Sequence, residues 1–152
     1  MDKEEFKTFC KNEFKARGFE KKGNAFYLNG RDLLCGIDLQ KSNYSNSYYV
    51  NYCFFLGKYD KISDYPTYYD SDIQGRVVAM SKTQTIGGKR FLTSAIEYEE
   101  YTEEELRLYF DKTFEEYILP PIHQGKKYIL NNLGKLYSLT LDREEVMRKL
   151  QS

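Results

Sequence analysis

The chain has 152 residues, with 23 basic and 23 acidic side chains that cancel to a formal charge of zero. That length suits a single domain, 1-152, able to bury roughly two thirds of the surface its unfolded chain exposes. Zero charge argues against a basic nucleic-acid footprint, no apolar run approaches the roughly 20 residues of a membrane span, and MDKEEFK opens on acids, unlike a secretory signal.

In chain order, Asp2 and Glu5 form a capping box, and Phe6, Phe9, Cys10 and Phe14 recur at helical spacing up to Gly18, so a helix is expected over about 3–17. Two apolar runs follow, flanking Asn29-Gly30, a pair suited to a type I′ hairpin turn. With those two residues as the loop, Leu28 faces Arg31 and Phe26 faces Leu33. Phe26, Leu28, Leu33, Cys35, Ile37 and Leu39 then share a core side, while Tyr27, Asp32, Leu34, Gly36, Asp38 and Gln40 share the other. A third strand over about 48–57 sends Val50, Tyr52, Phe54 and Leu56 to one side and Tyr49, Asn51, Cys53 and Phe55 to the other.

Residues 58–75 read as a long loop, RVVAM (76–80) as an edge strand, and RFLTSAIEY (90–98) as another strand. Thr102 and Glu105 make a second capping box ahead of Leu106, Tyr109, Phe110, Thr113, Phe114 and Tyr117 at helical offsets. Pro120 and Pro121 start or kink a helix ending near Gly134, residues 136–141 fit neither period, and Asp142 with Glu145 caps a last short helix. The fold expected is α+β: an antiparallel sheet of four to five strands, with an N-terminal helix and C-terminal helices packed mainly on one face.

Cys10, Cys35 and Cys53 are an odd number without CxxC spacing, each in an apolar segment, which points to reduced thiols and a cytoplasmic location. With one histidine, His123, and dispersed cysteines, neither a zinc site nor a Cys and His dyad is expected. DSDIQG (70–75) starts like a calcium loop but has Ser81 where a bidentate glutamate is needed. TIGGKR (85–90) lacks the spacing of a phosphate-cradling loop and reads as a turn. No catalytic residue, metal or cofactor is assigned. EYEEYTEEE (97–105) holds six glutamates, read as a solvated helix start, with attraction of a basic partner as the sharper option.

Residues 44–69 contain eight of the fifteen tyrosines. Their mixture with serine and asparagine in KSNYSNSYYVNY (41–52) is that of contact surfaces, where a large amphipathic ring binds at low entropy cost, although a strand and its loop have the same composition. Asp38, Gln40, Tyr49 and Asn51 are expected to meet on the open sheet face.

GFEKKGNAFYLNG followed by IDLQKSNYSNSYYVNYCFFLG resembles the bacterial family catalogued as domain of unknown function 4304, over roughly residues 3–118 and most closely from Gly18 to Gly57. The resemblance implies a small cytosolic α+β protein and carries no catalytic residue across. The function expected is a non-enzymatic module, immunity-like or adaptor, that binds another protein through Asp38, Gln40, Lys41, Tyr44, Tyr48, Tyr49 and Asn51. The alternative is an enzyme or small-ligand site with Asp38 as acid or base and Lys41 holding an anion.

Overall fold

The computed structural model describes residues 1–57, 66–139 and 142–152. Helix α1 (Lys3–Ala16) is followed by β1 (Glu20–Lys22), β2 (Ala25–Asn29), β3 (Leu34–Lys41), β4 (Tyr48–Phe55) and β5 (Ile73–Arg76), which form a five-stranded antiparallel sheet in chain order. β6 (Ala79–Ile86) and β7 (Lys89–Thr93) pair as a separate ribbon. Helices α2 (Glu103–Thr113), α3 (Leu119–Gln124), α4 (Lys126–Asn131) and α5 (Arg143–Gln151) complete the α+β architecture.

Both capping boxes form as their sequences require. The Asp2 carboxylate accepts from the Glu5 amide at 2.8 Å, the Thr102 hydroxyl accepts from the Glu105 amide at 3.2 Å, and each glutamate reaches back to its cap. Gly18, at φ +94°, closes α1 while the Phe19 amide returns to the Phe14 carbonyl at 3.1 Å.

α1 buries Phe6, Phe9, Cys10 and Phe14 against Phe26, Ile37, Val50, Tyr52 and Phe54 of the sheet and Leu106, Phe110 and Phe114 of the C-terminal half. Each fully buried phenylalanine contributes roughly 1.5–3 kcal/mol. Ile122, Ile129, Val146 and Leu150 join the same cluster, so the chain beyond Pro120 packs on this face as well. The opposite face carries a smaller cluster of Tyr27, Leu34, Cys53 and Phe55, flanked by Ala25 and Tyr68.

The hairpin between β2 and β3 departs from the expected turn. Asn29 is a strand residue opposite Leu34, Gly30–Leu33 form the connection, and neither Asn29 nor Gly30 has a positive φ. Leu33 is drawn wholly into the main core, and the Asp32 carboxylate leaves the sheet to accept from the Lys126 amide at 2.8 Å, capping α4. Gly30 is required sterically, since a Cβ there would stand 2.9 Å from the Ile122 carbonyl oxygen. Phe26 therefore faces Ile37 instead of Leu33. That register shift of four is even, so every strand side chain keeps the face expected for it.

The fifth strand is Ile73–Arg76, whereas RVVAM is divided between the end of β5 and the start of β6. RFLTSAIEY supplies β7 only to Thr93, and Ile96 makes an isolated bridge to Tyr48. Residues 58–65 of the expected loop lie outside the described residues. After α2 the helix widens into a π turn over Phe114–Ile118. Proline at 120 and 121 cannot donate to the Glu116 and Tyr117 carbonyls. Tyrosine hydroxyls take the place of those amides: Tyr128 donates to Glu116 at 3.4 Å and Tyr137 to Tyr117 at 2.8 Å. Asp142 makes no side-chain cap to α5, because its backbone is left-handed at φ +44°.

Gly75 lies opposite Tyr52, and an added Cβ would fall 2.2 to 2.6 Å from atoms of the tyrosine ring. Gly75→Ala should lower the free energy of urea unfolding by about 2–3 kcal/mol. In a double-mutant cycle with Tyr52→Ala the two losses should sum to more than the double variant shows, and strict additivity would refute the clash.

Candidate functional site

Strand alternation places Asp38 and Gln40 of β3 and Asn51 of β4 on the face opposite α1, which among the described residues carries only the short 3-10 turn Tyr68–Asp70, and β5 adds Arg76 beside them. Asp38, Asn51 and Arg76 form one cross-strand row, and Gln40 with Tyr49 forms the next. Asn51 is the hub and is 2 % exposed. Its amide nitrogen donates to Asp38 Oδ1 at 2.9 Å and to Gln40 Oε1 at 3.1 Å, while its carbonyl oxygen accepts from Arg76 Nε at 2.9 Å. Arg76 also reaches Gln40 Oε1 at 3.4 Å and lies over the Tyr49 ring, 4.0 Å from its centroid. Both donors of the Asn51 side chain and its carbonyl oxygen are thus engaged, and so large a cost would attend its burial otherwise that the network is structural as well as exposed at its edges.

Burial raises the Asp38 carboxyl above its ordinary 3.8, against the opposing pull of the Asn51 hydrogen bond and the Arg76 charge. The recess beside it, lined by Ala25, Tyr27, Gly36, Cys53 and Tyr68 among others, has a volume of only about 10 Å³. That is no more than one water occupies. Cys53 borders the recess, but burial pushes its thiol up to about 12, so it is no nucleophile at neutral pH.

The other expected residues part company. Tyr48 is 4 % exposed, stacked at 5.6 Å on Phe6 in the main core, which corrects its assignment to a binding rim. Lys41 pairs with Tyr48 and lies on the helix-bearing side, away from Asp38, so these two do not form one site. Tyr44 stands at the tip of the β3–β4 connection and is 95 % exposed. Its loop is pinned: the Ser42 amide donates to the Ser47 carbonyl at 3.0 Å, the Tyr44 amide to Ser42 Oγ at 3.2 Å, and Lys41 Nζ to the Ser45 carbonyl at 2.7 Å. Asn46 adds a bond to Glu99 at 3.2 Å. Arg76 is the residue that strand-by-strand reading missed, because its place depends on the β4–β5 register.

Five antiparallel strands with helices on one face and a polar network on the other define a small α+β domain. Residues 10–124 match the family model described as "Domain of unknown function (DUF4304)", and the chain belongs to that family. No curated protein and no solved structure matches the chain significantly. Among the described residues, no helix is long and apolar enough to cross a membrane.

The raised Asp38 pKa has a definite linkage sign. Its contribution to stability is complete below the unfolded value and is lost as pH rises through the folded one. Asp38→Asn, which keeps an acceptor for Asn51 but cannot ionise, should therefore gain on wild type in urea titrations as pH rises above the ordinary carboxyl value of 3.8. In Arg76→Gln the Asp38 carboxyl carbon should titrate at still higher pH by NMR, and an unmoved midpoint would show that the guanidinium does not act on it.

Proposed function

We propose that this chain is a non-enzymatic protein-binding module of a bacterial cytoplasm, engaging its partner through Tyr44 and the adjoining Gln40, Tyr49 and Arg76. The observation that carries the reading is a fully presented aromatic ring, 95 % exposed, on a loop already fixed by its own hydrogen bonds. A tyrosine held this way adds contact area without a large ordering cost on association. Gln40 and Tyr49 are the penultimate pair of the β3–β4 ladder, so the polar row begins one residue from that loop. The arginine over Tyr49 supplies a donor fork of the kind enriched at interface hot spots.

Unpaired, buried cysteines support a reducing compartment. A small-ligand site centred on Asp38 draws no support from a recess of about 10 Å³. A shallow concavity of about 740 Å³ is lined, among the described residues, by α5 and the adjoining Ser152.

The test is quantitative binding to a partner isolated with the wild-type chain. Tyr44→Ala and Arg76→Ala should each weaken the complex by about 2 kcal/mol or more, roughly thirtyfold, while Tyr69→Ala, also largely exposed but in the separate turn Tyr68–Asp70, should leave it unchanged. Equal affinity of the Tyr44 variant and wild type would end the proposal.

A further inference from the structure

The sheet ends unevenly beneath α1. β2 stops at the pair Ala25↔Asp38, whereas β3 and β4 stay paired as far as Lys41↔Tyr48. The step leaves Leu39 only partly covered on the helix-bearing side, and α1 supplies a facing wall through Lys7, Thr8 and Lys11. The result is a groove of about 410 Å³.

Four lysines from three elements converge on it: Lys7 and Lys11 of α1, Lys21 of β1 and Lys41 of β3. Their direction follows from register. Lys21 pairs with Phe26 and Lys41 with Tyr48, and both aromatic partners belong to the main core, so both lysines leave the sheet on the helix side. Lys7 Nζ and Lys41 Nζ stand 5.8 and 5.7 Å from the centroid of the same ring, Tyr48.

Among the described residues no carboxylate lines the groove and none of these four lysines is in an ion pair, Lys41 meeting only the Ser45 carbonyl. Some cations elsewhere are in ion pairs, Arg17 and Arg107 with Glu13, Lys82 with Glu105 and Lys149 with Asp72, but what sets the groove apart is four ammonium groups gathered on one concavity. Lys7 and Lys11 are also one helical turn apart, an arrangement that repels in the absence of an anion. Phe26, Leu39 and Tyr48 give the groove an apolar strip, and Asn24 and Thr8 add neutral hydrogen-bonding groups.

We propose that this groove binds a nucleotide bearing two or three phosphates, with the phosphate chain among the four ammonium groups and the base against the apolar strip. The volume falls in the range of small-molecule sites. Compact ammonium charges on separate stems suit a cluster of phosphate oxygens, whereas a single planar carboxylate is better met by the arginine fork. The groove shares none of the contact residues Tyr44, Gln40, Tyr49 and Arg76, and meets that surface only through Lys41, whose Nζ also donates to the Ser45 carbonyl of the Tyr44 loop.

The test is titration of the full chain with ATP, AMP, inorganic phosphate and a ten-residue oligodeoxythymidylate, followed by calorimetry and by amide NMR shifts. ATP should bind saturably with a Kd below about 1 mM and shift Lys21, Asn24 and Leu39 to Lys41, with AMP at least tenfold weaker. Lys7→Gln/Lys11→Gln and Lys21→Gln/Lys41→Gln should each weaken ATP at least tenfold, and Lys126→Gln/Lys127→Gln should not. The first pair should also melt at or above the wild-type temperature without ligand, since like charges are removed, which separates loss of the site from loss of the fold. Tyr44→Ala should bind ATP as wild type does. No saturable binding, equal affinity in the groove variants, inorganic phosphate as tight as ATP, or the oligonucleotide tighter than ATP would each overturn the proposal.

Discussion

Eight consecutive pairs between β3 and β4, from Leu34↔Phe55 to Lys41↔Tyr48, decide which side chains share a face, and the rest of the molecule follows from that ladder. Because successive residues alternate, a slip of one would carry Asn51 into the hydrocarbon core and Val50 and Phe54, both fully buried, out of it. Either exchange is costly. A buried amide without partners loses its hydrogen bonds to water, and an exposed phenylalanine forfeits the burial that holds the helices down. The register is therefore over-determined. β4 lies at the heart of it, buried along nearly its whole length by helices on one side and by the Tyr27, Leu34 and Phe55 cluster on the other.

How much of this was legible in the sequence depends on the range of the interactions involved. α1, its capping box and the helix opened by Thr102 are local, and they form where the periodicity puts them. The α+β class and the two faces of β2, β3 and β4 were legible for a different reason: they need only parity, and parity survived a wrong turn. The Asn29-Gly30 preference lost to tertiary forces, namely burial of Leu33, the pull of the α4 amide on Asp32, and the close approach of α3 to Gly30. Asp142 failed as a cap for a comparable reason, since its composition was right and its backbone was not.

The candidate site was half legible. Asp38, Gln40, Tyr49 and Asn51 do meet, as alternation requires, but Arg76 was hidden because the chain between β4 and β5 gives no register until the sheet is assembled. Sequence proximity alone groups Lys41 and Tyr48 with the polar residues. The same alternation that sends Asp38 and Gln40 one way sends Lys41 the other, and it sets Tyr48 beside Val50 and Tyr52 in the core. Tyrosine crowding thus overstated the contact surface: of the tyrosines in KSNYSNSYYVNY, Tyr48 and Tyr52 are core residues, Tyr49 carries a guanidinium, and Tyr44 alone is presented freely.

The zero net charge conceals a second asymmetry. The acids of EYEEYTEEE are largely engaged: Glu99 accepts from Asn46 at 3.2 Å, Glu97 from Thr83 at 2.8 Å, Glu103 faces Arg107 at 3.9 Å, and Glu105 holds both its cap and Lys82. Among the described residues the groove lysines meet no carboxylate. A polar sheet face whose central amide is satisfied from within offers an incoming small molecule little that it does not already possess. Uncompensated ammonium groups around an apolar strip are in the opposite position, because an anion placed there replaces repulsion with attraction. Charge balance over the whole chain argues against a long basic track, but the potential within a groove a few residues wide is set by the groups that line it.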